Sequence, residues 1–460
     1  MKSTGSTATR STDWVVHKFG GTSVYDADCF RKVADIIEAQ VQSHPGQRLA
    51  VVLSAAKGTT DVLLNLVAMA EKQDPAVGSQ LQAVRERHRA IAEGLLEPAA
   101  AAQWLAGFDR DRADLEGVLH TTSLMRSAAQ NVRDLVAGYG ELWSTSLFTA
   151  YLSARRKSAA NSVRWLDARQ VVVVEWGPLG PGVQWESSRA RLNEMGAAEF
   201  AGTLIIPGFV ARTPQGVQTT LGRNGSDFSA SIFGALLDAS EIHIWTDVDG
   251  VLSADPRRVP NAQVIDQLSY NEAMELAYFG AKVIHPQTMA PAIGRSIPIY
   301  IRNTFAPTHP STLICAAPKS QLTVKGITTI ENIALINIEG AGMIGVPGTA
   351  HRLFGALREE SISVILISQG SSEHSICCAI PEAEADRAEA VVRAAFTREL
   401  AEGQIQSVEA AKDLAILAVV GDGMAGTPGV SAKVFNALGA AAVNVRAIAQ
   451  GASERNISVV

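Results

Sequence analysis

Short apolar runs rich in β-branched residues recur along the first part of the chain. They include residues 14–16 (Trp-Val-Val), 49–53 (Leu-Ala-Val-Val-Leu), 171–174 (four valines), 203–206 (Thr-Leu-Ile-Ile) and 242–245 (Ile-His-Ile-Trp). Most are followed by small or polar residues and then by helical spacing, as in 29–39 and the Ala-rich 229–237. Apolar strands alternating with helices predict a largely parallel sheet covered on both faces. Residues 79–148 are patterned mostly as helix, broken near Pro98, and read as a helical insertion capping one edge of that sheet. Residues 14–305 thus read as one α/β domain. Pro307, Pro310 and Pro318 interrupt the pattern over 306–321, which reads as a linker.

Beyond that segment the chain repeats itself. Residues 340–376 match 421–457 at a constant offset, with about 16 of the 37 paired positions identical. Pro347-Gly348 pairs with Pro428-Gly429, Phe354 with Phe435, Gln369-Gly370 with Gln450-Gly451, and Ser372-Glu373 with Ser453-Glu454. Each copy reads as glycine loop, helix, strand, polar turn and strand. Two such α+β units are expected to lie side by side. Only the first copy runs on into another helical stretch, 384–402. The second stops at Val460 within an apparent strand, which leads us to expect that the natural chain continues.

Composition narrows the function classes. The 460 residues are 47% hydrophobic and 19% charged, an ordinary globular balance. The net charge of −6 argues against a general nucleic-acid or anionic-membrane surface. No apolar run approaches the roughly 20 residues of a membrane span. Cys29, Cys315, Cys377 and Cys378 form no C-x-x-C pair, so we read them as reduced thiols of a cytoplasmic protein, without a disulfide framework or a zinc site. Residues 1–12, rich in Ser and Thr and without an apolar core, read as a short leader and not a secretory signal.

Five segments carry candidate chemistry. Lys18-Phe19-Gly20-Gly21-Thr22-Ser23-Val24 lies between a strand and a helix, placing a lysine, two bare amides and two hydroxyls around one point. A polyphosphate suits such a set, and a tight strand–helix turn accounts for the glycines equally well. Gly222-Arg223-Asn224-Gly225-Ser226-Asp227 opens a second helix. It offers an arginine suited to a carboxylate, or simply a helix start capped by Ser226 or Asp227. Trp245-Thr246-Asp247-Val248-Asp249-Gly250-Val251 ends a strand where α/β sheets bind ligands, and its acidic spacing does not complete a calcium loop. Asp255-Pro256-Arg257 nearby reads as a turn. Lys282 and His285, in 279–286, are a phosphate-reaching lysine or a solvated one, and a structural histidine. Glu141 follows Gly140 on a helix and matters only if a cationic group must be met. No nucleophile–base–orienter set is present. Lysines, an arginine, helix N-termini and acids suit phosphoryl transfer, which is mainly positioning and charge neutralisation.

In this order, and over the span from Val15 to the end, these segments resemble aspartate kinase, most closely the kinase half of the bacterial fused aspartokinase–homoserine dehydrogenase. The resemblance implies an amino-acid-kinase fold, a three-layer αβα sandwich with a mostly parallel sheet, followed by two ferredoxin-like α+β ACT domains. It places the catalytic domain at 14–305 and the tandem ACT region at 322–460, the first unit (about 330–405) inserted in the second (about 322–329 plus 406–460, truncated). It implies phosphorylation of the β-carboxylate of L-aspartate by ATP with Mg²⁺, and no protein metal cage. Residue by residue, it implies that Lys18 stabilises the transferring phosphoryl group with the amides of Gly20 and Gly21. Asp227 would orient that lysine or organise the metal. Arg223 would grip the α-carboxylate, Glu141 would meet the α-ammonium, and Thr60 and Ser226 would hold the substrate. Thr246, Asp247, Arg257 and Lys282 would lie along the nucleotide. Asn224 and Leu252 depart from the usual pattern, leaving the adenine contact near Leu252 unassigned. For the repeats it implies feedback by an amino acid, threonine first, with Gln369 and Gln450 as contacts, unless these two merely cap a turn. A homodimer or homotetramer is implied, and no hydride transfer is expected of these residues. Another amino-acid kinase of the same fold, such as a glutamate kinase, and a non-catalytic amino-acid sensor are the alternatives.

Overall fold

The computed structural model describes residues 14–156, 162–279, 285–320 and 322–460. The leader read over residues 1–12, Lys282, and the last residue of the expected linker lie outside the described residues. The chain divides into two compact units. The first takes residues up to Val251, Val264–Tyr270 and a stretch ending at Pro318; the second takes Leu252–Gln263, a stretch from Asn271, and Lys319–Val460.

In chain order the elements are β1 (Trp14–Phe19), α1 (Ala27–Ser43), β2 (Arg48–Leu53), α2 (Thr59–Glu71), α3 (Val77–Leu95), α4 (Pro98–Met125), α5 (Gln130–Arg155), β3 (Val163–Trp165) and α6 (Ala168–Val171). They continue with β4 (Val174–Gly177), β5 (Gly180–Val183), α7 (Trp185–Glu194), β6 (Thr203–Pro207), β7 (Val210–Arg212), β8 (Gln218–Thr220), α8 (Gly225–Leu236) and β9 (Glu241–Thr246). Next come β10 (Gln267–Ser269), α9 (Tyr270–Tyr278), α10 (Pro286–Gly294), β11 (Ile299–Asn303) and β12 (Thr312–Cys315).

The first unit is built on an eight-stranded sheet of order β10-β12-β11-β9-β1-β2-β6-β3. All its pairings are parallel except β11 with β12. The central strands β1, β2, β6 and β9 are almost wholly buried, as strands covered on both faces must be. Side chains alternate across the sheet. Val15 and Phe19 join Leu49, Val51, Leu53, Ile205 and Trp245 in a core with Phe30, Val33 and Ile37 of α1 and Leu147 and Phe148 of α5. The residue between Phe19 and His17, Lys18, therefore points to the opposite face, the one covered by α8.

Two expectations are corrected. Residues 171–174 are not a strand of the main sheet. Asp167 caps the short helix α6 by accepting the Arg169 N–H at 3.0 Å, and β4 then pairs with β5 in a separate two-stranded ribbon. The segment read as a linker contains β12, which hydrogen-bonds to β11 and β10 inside the sheet. Its prolines flank that strand and do not interrupt it.

The second unit holds a six-stranded sheet of β13 (Gly326–Glu339), β14 (Leu366–Gln369), β15 (Ser375–Pro381), β16 (Ser407–Val420), β17 (Ile448–Gln450) and β18 (Asn456–Val459). Their order is β14-β15-β13-β16-β18-β17, a two-fold pattern that follows the sequence repeat. The 14-residue strands β13 and β16 are antiparallel over their length, with bulges near Ile330–Ile333. Residues 333–339 of β13 pair with β15, whereas 326–330 lie against 416–420 of β16, which in turn pairs with β18. Each long strand thus serves both repeats. The matching helices are α11 (Thr349–Glu359) and α14 (Val430–Ala440), and only the first repeat adds α12 (Ala385–Ala395) and α13 (Thr397–Ala401).

Candidate active site

The carboxyl ends of β1, β2, β6 and β9 lie side by side, the place where an open α/β sheet binds its ligand. At the end of β1 the chain turns through Gly20 into a single turn of 3-10 helix, Gly21–Val24. The Gly20 N–H donates to the Trp245 carbonyl at 3.2 Å. A Cβ on Gly21 would lie 3.0 Å from the Ala55 carbonyl oxygen and 3.3 Å from the Lys57 Cα, so only glycine lets this turn approach the loop after β2 without displacing backbone. The Lys57 N–H closes that approach by donating to the Gly21 carbonyl at 3.1 Å.

Lys18 Nζ stands 2.6 Å from Asp227 Oδ1, both side chains about nine-tenths buried. The two are an ion pair lying off hydrogen-bond geometry. Asp227 is in the first turn of α8, and no side chain caps that helix: Asn224 sits at the cap position in left-handed backbone (φ 57°). The capping role considered for Ser226 or Asp227 is therefore not used. Ser226 is buried against Gly208, and Arg223 is exposed on the loop between Gly222 (φ 73°) and Asn224.

Glu141 approaches from α5. Gly140 makes this possible, since a Cβ there would come 2.7 Å from the Ala55 side chain, and Ser144 Oγ anchors the helix by donating to the Ser54 carbonyl at 2.7 Å. Glu141 is 4% exposed, and its Oε2 is buried without a hydrogen-bond partner. Burial pushes its carboxyl up to about 8, only partly offset by the Ala55 N–H. Of the two threonines at the start of α2, Thr60 is partly exposed, whereas Thr59 is 2% exposed with its Oγ1 unpartnered. Sequence reasoning assigned Thr60 to the substrate; Thr59 beside it is the more buried of the two. Adjacent threonines after one glycine carry no signal that separates them; the helix phase set by Gly58 (φ 82°) does.

Thr246 ends β9, and its hydroxyl lies 3.2 Å from a carboxylate oxygen of the exposed Asp247. Asp249 is held by Asn303 at 2.7 Å. Arg257 belongs to the second unit, where Asp255 holds its guanidinium at 2.7 Å and also accepts its N–H, so this segment is a turn as well as a candidate. His285 has the structural place expected of it: its Nδ1 accepts the Gln287 N–H at the start of α10. No cluster of three His, Cys, Asp or Glu side chains able to hold a metal occurs among the described residues.

In the second unit Gln369 ends β14 and Gln450 ends β17, both exposed. Gln369 lines a cavity of about 270 Å³ with Pro347, Thr349, Glu373 and Ile376. The turn after Gln369 is closed by its own backbone, Gly370 N–H to the Ser375 carbonyl at 3.0 Å. The Glu373 carboxylate takes the Gly345 N–H at 2.9 Å, as that of Glu454 takes the Gly426 N–H at 2.6 Å. These bonds hold the loop together without the glutamine side chains.

A parallel-rich αβα sheet with a buried lysine–aspartate pair at the strand ends defines a kinase of the amino-acid-kinase class. The amino acid kinase family profile matches residues 13–303, and an ACT domain profile matches 336–396 and 417–460. The chain belongs to the aspartokinase family. It is 33% identical to the lysine-sensitive aspartokinase 3 of Escherichia coli (strain K12), covering 96% of this chain and 94% of that protein. It is 43% identical to the chloroplastic bifunctional aspartokinase/homoserine dehydrogenase 2 of Arabidopsis thaliana, covering 97% of this chain and 49% of that protein. The chain thus spans about half the length of such bifunctional relatives. The crystal structure of E. coli aspartokinase III in complex with aspartate and ADP (R-state) superposes with a TM-score of 0.78 at 30% identity, covering 97% of this chain and 95% of that one.

Proposed function

We propose that this chain transfers the γ-phosphoryl group of ATP to the β-carboxylate of L-aspartate, giving 4-phospho-L-aspartate and ADP. In the bond change, a β-carboxylate oxygen of aspartate bonds to the γ-phosphorus as the bond to the β,γ-bridging oxygen breaks, and the charge leaves on ADP. That carboxylate is ionised near neutral pH, so no protein base is needed. The observation that carries the reading is the Lys18–Asp227 pair at the strand ends, with the unpartnered Glu141 on the neighbouring helix. We assign the ammonium of Lys18 and the Gly21 N–H to stabilising the phosphoryl group in flight; the Gly20 N–H, expected to share this role, is instead taken by the Trp245 carbonyl. Asp227 holds Lys18 in position. Glu141 takes the α-ammonium of the substrate, Arg223 takes its α-carboxylate by a two-pronged contact, and Thr60 and Ser226 complete the substrate pocket. Thr246, Asp247, Arg257 and Lys282 are assigned to the nucleotide. Mg²⁺ bound with the ATP phosphates would supply charge neutralisation, and Asp227, if not engaged only with Lys18, would be its protein oxygen donor.

The test is ADP release measured with aspartate and with glutamate. Turnover should be faster with aspartate; faster turnover with glutamate would instead support a glutamate-kinase reading, and none with either would support a non-catalytic sensor.

We assign the repeats to feedback inhibition by threonine, acting in a homodimer or homotetramer, in the biosynthesis of lysine, threonine and methionine. The support is the cavity beside Gln369 and its repeat-related partner Gln450, whose side chains the turns do not need. Gln369→Ala is expected to raise the threonine concentration for half-inhibition about tenfold, the value of one or two lost hydrogen bonds, while uninhibited turnover stays unchanged. Inhibition curves measured side by side with wild type check this, and superimposable curves would return Gln369 to turn-capping. The four free cysteines support a cytoplasmic setting.

A further inference from the structure

The face of the first sheet opposite Lys18 carries two rows of aromatic and cationic side chains. Strand register places His17, His243 and Tyr300 in one row and Phe19, Trp245 and Arg302 in the next. Along the first row His17 stacks on His243 at 4.8 Å and His243 on Tyr300 at 4.9 Å. In the second, Phe19 stacks on Trp245 at 5.6 Å, and the Arg302 guanidinium lies 5.7 Å from the Trp245 ring centre. α1 packs on this face, its Phe30, Val33 and Ile37 in one core with Phe19 and Trp245. Over β9 and β11 a cavity of about 490 Å³ is left, with Trp245, His243 and Arg302 as floor, Lys32 and Gln40 of α1 as one wall, and Phe305 as the other. The Lys32 ammonium stands 4.9 Å from the centre of the Phe305 ring.

Two polar atoms in this floor have no partner among the described residues. Arg302 Nε is buried without an acceptor. His243 is 5% exposed; its Nε2 meets Glu241 at 3.0 Å, and its Nδ1 is buried without a partner. Arg302 Nε is a donor, and a buried donor left unsatisfied costs free energy unless a bound group or water completes it, whereas His243 Nδ1, its Nε2–H given to Glu241, is an acceptor. The ring faces of the floor are taken by their row neighbours, so it offers ring edges, and the two cations nearest them offer charge; the Asp35 carboxylate on the same helix is engaged by Arg155 at 2.9 Å. The volume is that of a small-ligand site.

We propose that this cavity is a second small-molecule site of the kinase unit, for a planar aromatic carboxylate whose ring packs on the edge of Trp245 beside Phe305 and whose charge meets Arg302 and Lys32. It lies on the other face of the sheet from Lys18, yet the Trp245 carbonyl holds the Gly20 N–H, so the floor of the cavity and the glycine turn share one strand end.

Binding to the full chain, without nucleotide or aspartate, is the test. Indole-3-acetate is titrated by calorimetry, with indole supplying the ring alone and acetate the charge alone. Indole-3-acetate should bind saturably with one site, and each fragment at least about tenfold more weakly. Arg302→Gln should weaken binding about tenfold or more. Lys32→Glu, at an exposed position that leaves the fold intact, should do the same. An absence of saturable binding, or equal affinity in wild type and Lys32→Glu, would overturn the proposal.

Discussion

Lys18→Ala should reduce kcat for ADP release by about 10³-fold or more, the scale seen when a preorganised charge is removed from a developing transition state. The same substitution also leaves Asp227 without its partner in a site about nine-tenths buried. Removing one member of a buried pair is destabilising by roughly 3–5 kcal/mol. A melting temperature lowered by several degrees is therefore expected alongside the lost turnover, and alone it would not tell a catalytic lysine from a structural one. The double variant Lys18→Ala/Asp227→Asn separates the two. It removes the orphaned charge, so the melting temperature should return most of the way to wild type, while kcat stays as low as in the single variant. Binding of threonine, the effector proposed above, followed by calorimetry, should be unchanged in both. Recovery of turnover together with stability in the double variant would make Lys18 a structural residue.

The glycine turn shows how far the sequence could be read. Its residues announce a strand–turn–helix junction, yet they fit a phosphate cradle and a bare turn equally well. What separates the two lies in another part of the chain: Asp227, more than two hundred residues away, comes to Lys18 only because β1 is central and α8 covers the even-numbered face. The alternating strands and helices were legible because burial on both faces leaves an apolar run that few other environments produce. The valines at 171–174 misled for the same reason. Four apolar residues are as much a buried helix end and ribbon as a strand, and the capping Asp167 decided between them. The proline-flanked β12 was missed because prolines next to a short strand look the same as prolines in a linker. The repeat was the clearest signal of all, and the structure returns it as a two-fold sheet order. The sharing of β13 and β16 between the repeats is a property of register, which a local pattern does not carry. Glu141 illustrates the opposite limit. A glutamate on a helix is ordinarily solvated, and nothing beside it except Gly140 hints that this one is buried. Its burial depends on the close passage of α5 over the loop after β2.

Because Glu141 is buried without a counter-charge, its titration should show in both binding and stability. The carboxyl is pushed up to about 8 by burial, against 4.5 for an ordinary glutamate. Near neutral pH the unliganded protein therefore holds it mostly protonated, and an incoming ammonium has to meet the ionised form. kcat/KM for aspartate reports groups of the free enzyme, so it should rise with pH and level off above about 8, whereas kcat should show no such step. The stability effect has the opposite sign. The unfolded chain releases the proton near 4.5 and the folded chain only near 8, so stability falls as pH rises through that window and is flat outside it. The difference amounts to a few kcal/mol by order of magnitude, at about 1.4 kcal/mol for each tenfold step. Glu141→Gln removes the ionisation while keeping the shape. The variant should be more stable than wild type above pH 7, as a higher melting temperature without ligand would show. It should also lose the pH step in kcat/KM and raise the aspartate KM about a hundredfold, since a neutral amide does not replace a buried charge opposite an ammonium. The two effects pull apart only if the carboxylate is kept for the substrate at the fold's expense. A Glu141→Gln variant that lost stability and affinity together, with the pH step intact, would show instead that the residue serves packing and that the ammonium is met elsewhere.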